Sequence, residues 1–157
     1  MKRFSILLAV LAALLFGFSG CDKKPVDGVK QMHWDRDMCE RCKMAISDRK
    51  FAVQIIDPQN GKGYKFDDLG CAVLWMDEEK IPWKGKAVIW VTDAKSGKWI
   101  DARKAEYVGG AITPMAYGFA AYTEQTLPKG AKVYTFREVV KKIAEKEASN
   151  DKHMGRE

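Results

Sequence analysis

The 157-residue chain has only two histidines, five prolines and no block of like charges. Its 27 Lys and Arg residues are scattered among 21 Asp and Glu residues, whereas a nucleic-acid-binding protein usually shows a basic stripe. It also lacks a glycine-rich phosphate loop, a Gly-x-Ser-x-Gly elbow and a His-Glu-x-x-His helix, which mark several enzyme classes. These absences argue against nucleic-acid binding and against an enzyme.

The remaining composition is that of one modest globular domain, with 46% hydrophobic and 31% charged residues. Apolar periodicity predicts a helix over Leu69–Glu78, capped by Asp67 or Asp68, and a terminal helix from about Thr135. Most links between the strands are too short for a parallel crossover, so we predict an α+β fold with small mixed or antiparallel sheets and flanking helices. The predicted strands are Phe51–Ile56, Tyr64–Phe66, Ala87–Val91, Trp99–Ile100, Tyr107–Val108, Phe119–Tyr122 and Lys132–Tyr134.

The first 20 residues resemble a secretory signal, with two cations, an apolar run and a small-residue end. Phe18 to Cys21 resembles the bacterial lipoprotein box, in which the cysteine becomes the lipidated first residue; an uncleaved anchor helix is the alternative. Both interpretations export the chain and attach it to a membrane, without choosing between the inner and outer membranes. The predicted segments are a signal peptide at 1–20, a flexible tether at 21–36, a folded domain at 37–147 and a frayed polar tail at 148–157.

Soft metal-binding side chains are concentrated in one short segment. Six of the thirteen Cys, Met and His residues lie between Met32 and Met44, outside any strong apolar period. Thiolate and thioether donors together select Cu(I) over harder metals. Other members of this set, Cys71 and Met76, fit an apolar helix and are interpreted as core residues.

Three interpretations of Cys39-Glu40-Arg41-Cys42 stay open at this point. The two cysteines could form a disulfide or a redox pair, with Thr113-Pro114 in place of the Thr-cis-Pro of thioredoxin-like proteins, although no hydrophobic strand precedes them. Zinc could be bound by Cys39, Cys42, Cys71 and His33. Alternatively Cys42 and Met44, two residues apart on an extended strand, could present a thiolate and a thioether to Cu(I).

An ordered set of motifs resembles the nitrous-oxide-reductase accessory lipoproteins called NosL. The set covers Cys39 to Tyr122 and comprises Cys42-x-Met44, Phe66-Asp67-Asp68-Leu69-Gly70-Cys71, Val91-Thr92-Asp93, Trp99-Ile100-Asp101-Ala102, Ala105-Glu106-Tyr107-Val108 and Thr113-Pro114-Met115 with Gly118 and Ala120. Two departures stand out. Ala116 follows Met115 where the family usually has glycine, and the eight residues 123–130 are too few for a helix.

The resemblance implies a lipid-anchored periplasmic Cu(I) chaperone that supplies apo nitrous oxide reductase and its membrane assembly machinery. It implies two ββαβ units related to the organomercurial lyase fold. The family's ligands correspond here to Cys42, Met44 and Met115, with Cys39 either a further ligand or a disulfide partner of Cys42. The alternative function is a periplasmic thiol-disulfide protein that uses Cys39 and Cys42.

Overall fold

The computed structural model describes residues 28–153 and residue 155. The predicted signal segment 1–20 and the predicted lipidation residue Cys21 lie outside the described residues. Within those residues, no helix has the length and apolar character needed to cross a membrane.

Four antiparallel strands form the first sheet, in the order β2-β1-β3-β4. A ten-residue helix connects β2 to β3. The elements are β1 (Val53–Ile56), β2 (Gly63–Phe66), α1 (Leu69–Glu78), β3 (Val88–Thr92) and β4 (Trp99–Asp101).

Three further antiparallel strands form a second sheet, in the order β6-β5-β7, and a long helix follows it. That helix packs against α1 and β5. The elements are β5 (Glu106–Gly109), β6 (Phe119–Tyr122), β7 (Val133–Tyr134) and α2 (Phe136–His153).

This architecture confirms the predicted α+β class with small antiparallel sheets and flanking helices. The first unit has the ββαβ order that the resemblance implied, from β1 through β3. The second unit does not repeat it, since among the described residues no helix lies between β6 and β7 and α2 comes after β7. The short segment 123–130 accounts for this difference.

Helix α1 has the predicted bounds, and its cap is now identified. Asp68 is the N-cap, and its Oδ1 accepts the Gly70 amide at 2.8 Å. Eight consecutive residues, from Leu69 to Met76, are buried. A helix that is apolar on all sides belongs in an interior, and α1 lies between the first sheet and α2.

Helix α2 begins where the sequence predicts and ends later. Thr135 and Glu138 form a capping box, with the Thr135 amide donating to Glu138 Oε2 at 2.7 Å. The predicted frayed tail from residue 148 is wrong as far as His153, because the helix continues to that residue. Contacts of Glu147 explain part of this extension, since Arg41 and Tyr117 both donate hydrogen bonds to its carboxylate and hold this part of the helix on the domain.

The tether ends earlier than predicted. Gln54 is fully buried on β1 and forms two hydrogen bonds with the backbone of Lys30. Its Oε1 accepts the Lys30 amide at 2.8 Å, and its Nε2 donates to the Lys30 carbonyl at 2.9 Å. Met32 and Trp34 pack against the core. The chain is therefore part of the domain from Lys30 onward, because a buried amide needs partners and this segment supplies them.

Asp93 joins the two sheets at the end of β3. It is fully buried, and its Oδ1 accepts the Ser96 amide at 2.7 Å and the Ser96 hydroxyl at 2.9 Å. Its Oδ2 accepts the Thr123 amide at 3.0 Å and the Thr126 hydroxyl, at the end of β6. Burial alone would raise the pKa of Asp93, but hydrogen bonds from Thr126, Ser96 and Thr123 outweigh it and lower the pKa.

Asp93→Asn is expected to lower the free energy of unfolding by about 2–3 kcal/mol at neutral pH, because hydrogen bonds to a buried carboxylate are lost. The pKa of the folded carboxyl lies below its ordinary value, so this contribution is complete above about pH 4 and is lost as the pH falls through the folded pKa. Urea unfolding at neutral and acidic pH measures both effects. Asp48→Asn, at an exposed aspartate that accepts the Lys50 amide, is the control; an equal loss in both variants at neutral pH contradicts the prediction.

Candidate metal centre

The two cysteines of the Cys-x-x-Cys motif lie in a tight turn. The Cys39 amide donates to the Met44 carbonyl at 2.8 Å, and the Lys43 amide donates to the Cys39 carbonyl at 3.0 Å. Met38 and Ala45 pair just outside the turn. Closing this turn puts Lys43 in the left-handed region, with φ of 59°. The prediction of an extended strand over Cys42 and Met44 is therefore wrong. The alternation of side chains along a strand no longer places these two side chains on the same face.

Backbone and side-chain contacts of the residues between the cysteines fix this turn on the domain. The Glu40 amide donates to the Lys65 carbonyl of β2 at 2.9 Å, which attaches the turn to the edge of the first sheet. Arg41 is held between three groups. Its guanidinium contacts both carboxylate oxygens of Glu78 at 2.8–3.0 Å, Glu147 Oε1 at 2.5 Å and the Tyr117 hydroxyl at 3.0 Å.

The start of α1 supplies two more metal-binding side chains to the same place. Asp67 precedes the cap and Cys71 lies in the first turn. Sulfur atoms of Cys39, Cys42 and Cys71 and a carboxylate oxygen of Asp67 all lie within 4.8 Å of one another. Cys71 is fully buried in the core, as expected, and its sulfur is also part of this cluster.

Burial distinguishes the members of this cluster. Cys39 and Cys71 have no exposed surface and Asp67 is 2% exposed, whereas Cys42 is partly exposed. All three cysteines are free thiols. Cys42 therefore marks the side from which an ion could enter.

The three thiols differ in their protonation. A hydrogen bond from the Cys71 thiol, supported by the Cys42 and Asp67 amides, lowers the pKa of Cys39 to about 6 against the effect of burial. Burial raises the pKa of Cys42 to about 12, and the neighbouring Cys39 and Asp67 act in the same direction. The pKa of Cys71 is also raised, first by its bond to Cys39 and then by burial. Of the three thiols, Cys39 is therefore the one whose surroundings favour the thiolate.

Asp67 has an oxygen that no group satisfies. Its Oδ2 accepts a hydrogen bond from the Cys42 thiol at 3.2 Å, while its buried Oδ1 has no hydrogen-bond partner among the described residues. Helix capping by Asp67, one of the two options expected, does not occur, since Asp68 is the cap. An unsatisfied buried carboxylate oxygen is costly and calls for an explanation, which a bound cation would provide.

The predicted methionine ligands have different positions. Met44 lies two residues after Cys42 and is 45% exposed. Its backbone amide donates to the Cys42 sulfur, which acts against the rise in the pKa of Cys42. Met115 is partly buried against the core. Its amide donates to Asp68 Oδ2 at 3.2 Å, so the segment that carries it is joined to the start of α1. Coordination by either thioether stays a prediction.

The Thr113–Met115 segment is closely packed on α1. The Thr113 hydroxyl donates to Asp68 Oδ2 at 2.5 Å, and a Cβ added at Gly70 would lie 2.0 Å from the Tyr117 ring. Ala116 has φ of 57°, which favours glycine. This chain therefore holds a backbone conformation typical of glycine with a side chain present.

Neither alternative interpretation is matched in full, although three of the four predicted zinc ligands, Cys39, Cys42 and Cys71, lie in the cluster. His33 is absent from the cluster; its side chain is 55% exposed, and its Nδ1 lies 3.6 Å from Asp37 Oδ1. Cys39 and Cys42 do not lie between a strand and a helix, and the described residues contain no cis peptide bond at Thr113-Pro114 or elsewhere. Met76 is buried, as expected of a core residue.

Comparison with known proteins finds a solved structure of similar fold. No family model matches the chain, and no curated protein matches it. The fold is similar to the crystal structure of the copper chaperone NosL from Shewanella denitrificans, with a TM-score of 0.56 and 17% sequence identity. The match covers 70% of this chain and 94% of that one. The resemblance predicted from the motifs is thus confirmed for the fold.

Ala116→Gly is expected to raise the free energy of unfolding by about 0.5–1 kcal/mol, because removing Cβ relieves the left-handed backbone and outweighs the entropy that glycine adds to the unfolded chain. Chemical denaturation measures the change. Ala45→Gly, at an exposed alanine without positive φ, is the control and should lower the free energy of unfolding. A loss of stability at both positions contradicts the prediction.

Proposed function

We propose that this protein is a Cu(I) chaperone, with copper as its cargo rather than a resident cofactor. One observation carries the proposal, namely the convergence of three cysteine sulfurs and a carboxylate within 4.8 Å. Two or three soft donors suffice for Cu(I), and cysteine thiolates are the protein donors it prefers. The NosL-like fold supports the choice of copper.

Copper binding would begin at the exposed side of the cluster. The Cys39 thiolate is the first donor, since its pKa is lowered while those of Cys42 and Cys71 are raised. As the ion binds, Cys42 and Cys71 lose their protons to solvent and add two more thiolate bonds. Met44, exposed beside Cys42, and Met115 are the predicted thioether donors.

Release would follow by ligand exchange without a catalysed step. Cys42 and Met44 are the exposed donors, so a docked protein can offer a soft or imidazole ligand from that side while Cys39 and Cys71 still hold the ion. A site closed on all sides would retain the metal. The partial exposure therefore supports transfer and argues against a purely structural metal.

The recipient and the location follow from the sequence resemblance. The proposed recipient is apo nitrous oxide reductase with its membrane assembly machinery, and the proposed location is the periplasmic side of a bacterial membrane. Lipidated Cys21 provides the anchor. The domain begins at Lys30, so a segment of eight residues, 22–29, connects the anchor to it.

The double variant Met44→Leu/Met115→Leu is expected to weaken Cu(I) binding by about tenfold or more, because two thioether donors are lost while the apolar volume is kept. Competition with a chromophoric Cu(I) chelator under reducing conditions measures the affinity.

The control is Met38→Leu/Met76→Leu, which changes one exposed and one buried methionine, neither of them a predicted ligand, and should leave the affinity unchanged. Parental affinity in the Met44/Met115 variant would show that the thioethers are not ligands. Cys71→Ser tests the third cysteine in the same titration, and parental affinity there would show that Cys71 is not a ligand.

Cys21→Ala is expected to move the protein from the membrane fraction to the soluble fraction or to stop its processing, because acyl chains supply the membrane affinity. Fractionation of cells with detection of the processed chain measures this. Cys39→Ala is the control and should stay in the membrane fraction. Unchanged fractionation of Cys21→Ala would favour an uncleaved anchor helix.

A further inference from the structure

We infer that a cleft on the opposite side of α1 from the cysteine sulfurs binds a small amphipathic carboxylate, of which a medium-chain fatty acid is the simplest form. The cleft has a volume of about 620 Å³, which is within the range of small-molecule sites. Its apolar lining consists of Val73 and Met76 of α1, Ile89 of β3, and Phe136 and Val140 of α2. The cations that line it are Lys84, Arg103 and Arg137. The inference is independent of copper binding.

The cleft is separate from the candidate metal centre. Successive residues of an α-helix are turned by about 100°, so Val73 and Met76 lie about 200° and about 140° around α1 from Cys71. None of the four residues that make up the metal-binding cluster lines the cleft. The two sides of α1 can therefore bind different ligands.

The lining of the cleft favours a ligand with an apolar body. Val73, Met76 and Ile89 are at most 3% exposed. Phe136 and Val140, at the start of α2, pack against the core but are only half-buried, so they still present apolar surface to the cleft. A hydrocarbon chain that covers this surface removes it from water, which is favourable.

Two arginines at the cleft have no acidic partner. The Arg103 guanidinium lies 5.5 Å from the centre of the Phe136 ring, and its Nη2 donates to the Ala87 carbonyl at 3.2 Å. A carbonyl fixes this side chain without neutralising its charge. Among the described residues neither Arg103 nor Arg137 forms an ion pair, whereas Lys84 pairs with an aspartate of α1. Both arginines are thus available to an anion.

The charge at the start of α2 selects the kind of anion. A planar guanidinium offers paired N–H donors that match the two oxygens of a carboxylate, and it also binds phosphate. However, Thr135 lines the cleft, and its amide donates to Glu138 Oε2 at 2.7 Å. The Glu138 carboxylate therefore lies close by and repels a doubly charged phosphate more strongly than a singly charged carboxylate.

The polar and apolar parts of the cleft lie side by side. The contact of Arg103 with the Phe136 ring places a cation directly against the apolar lining. One small molecule with an anionic head and a short hydrocarbon body can satisfy both parts. Neither a simple anion nor a neutral hydrocarbon can do so.

The double variant Arg103→Gln/Arg137→Gln is expected to weaken the binding of octanoate by about tenfold, because charge-assisted hydrogen bonds to the carboxylate are lost. Methyl NMR of the purified full-length chain, titrated with octanoate at neutral pH, measures the affinity. The methyl signals of Ile89 and Met76 should shift and reach saturation. The signal of Ile46, which is buried outside the cleft, should stay in place and also reports an intact fold in each variant.

The matched control is Arg36→Gln/Arg49→Gln, which removes two exposed arginines before β1 and should keep the parental affinity. Arg49 lies 5.5 Å from the centre of the Trp34 ring, so this control also removes a contact between an arginine and an aromatic ring. Equal affinity in the Arg103/Arg137 variant and the parent overturns the proposal. Equal weakening in both double variants also overturns it, since the effect would then be one of net charge.

Val140→Phe tests the apolar part, because the larger side chain fills the cleft while both arginines remain. It should weaken octanoate binding by at least about tenfold. At equal free concentrations, octan-1-ol should bind at least about tenfold more weakly than octanoate, and acetate should not shift Ile89. Parental affinity in Val140→Phe, equal binding of octan-1-ol, or no shift with octanoate overturns the proposal. A response only to an acidic peptide that contains leucine also overturns it, since the cleft would then bind a protein.

Discussion

The buried carboxylate of Asp68 is the contact on which the site depends. One oxygen caps α1 through the Gly70 amide, and the other accepts the Thr113 hydroxyl and the Met115 amide. A single side chain thus fixes the first turn of the helix and the distant segment that packs on it. Burial raises the pKa of Asp68, and these hydrogen bonds act against that rise. Because Asp67 and Cys71 lie beside this cap, their positions relative to the other cysteines follow from it.

Arg41 fixes the turn that carries Cys39 and Cys42, as Asp68 fixes the start of α1. It lies between Cys39 and Cys42, and its planar guanidinium reaches the end of α1 through Glu78 and the late part of α2 through Glu147. A lysine could not bond in two directions with the same geometry. The turn is therefore attached to both helices, while Asp68 holds the start of α1. The cysteines come together because elements far apart in sequence are joined at these two points.

Much of the fold could be predicted from the sequence, because apolar periodicity and turn residues act locally. The bounds of α1, the strand Phe119–Tyr122 and the start of α2 were all predicted in this way. The cluster was predicted only in part. Cys71 lies among the eight buried residues of α1, so nothing local distinguishes a candidate ligand there from a core residue. Asp67 likewise resembled a cap, and only the tertiary contacts show that Asp68 caps the helix instead. The turn was missed because Lys43 has φ of 59°, a left-handed conformation that lysine rarely adopts.

The distribution of burial and charge around the sulfurs favours a site for exchange. Cys39 and Cys71 are enclosed, and amides and the Cys71 thiol lower the pKa of Cys39, so Cys39 is the inner donor that loses its proton most readily. Cys42 is partly exposed and its pKa is raised. This outer donor therefore loses its proton only when the free energy of metal binding offsets the cost of deprotonation. A structural metal gains from four enclosed ligands that never open. A cluster with one partly exposed cysteine instead leaves one side open, as the proposed transfer of an ion requires.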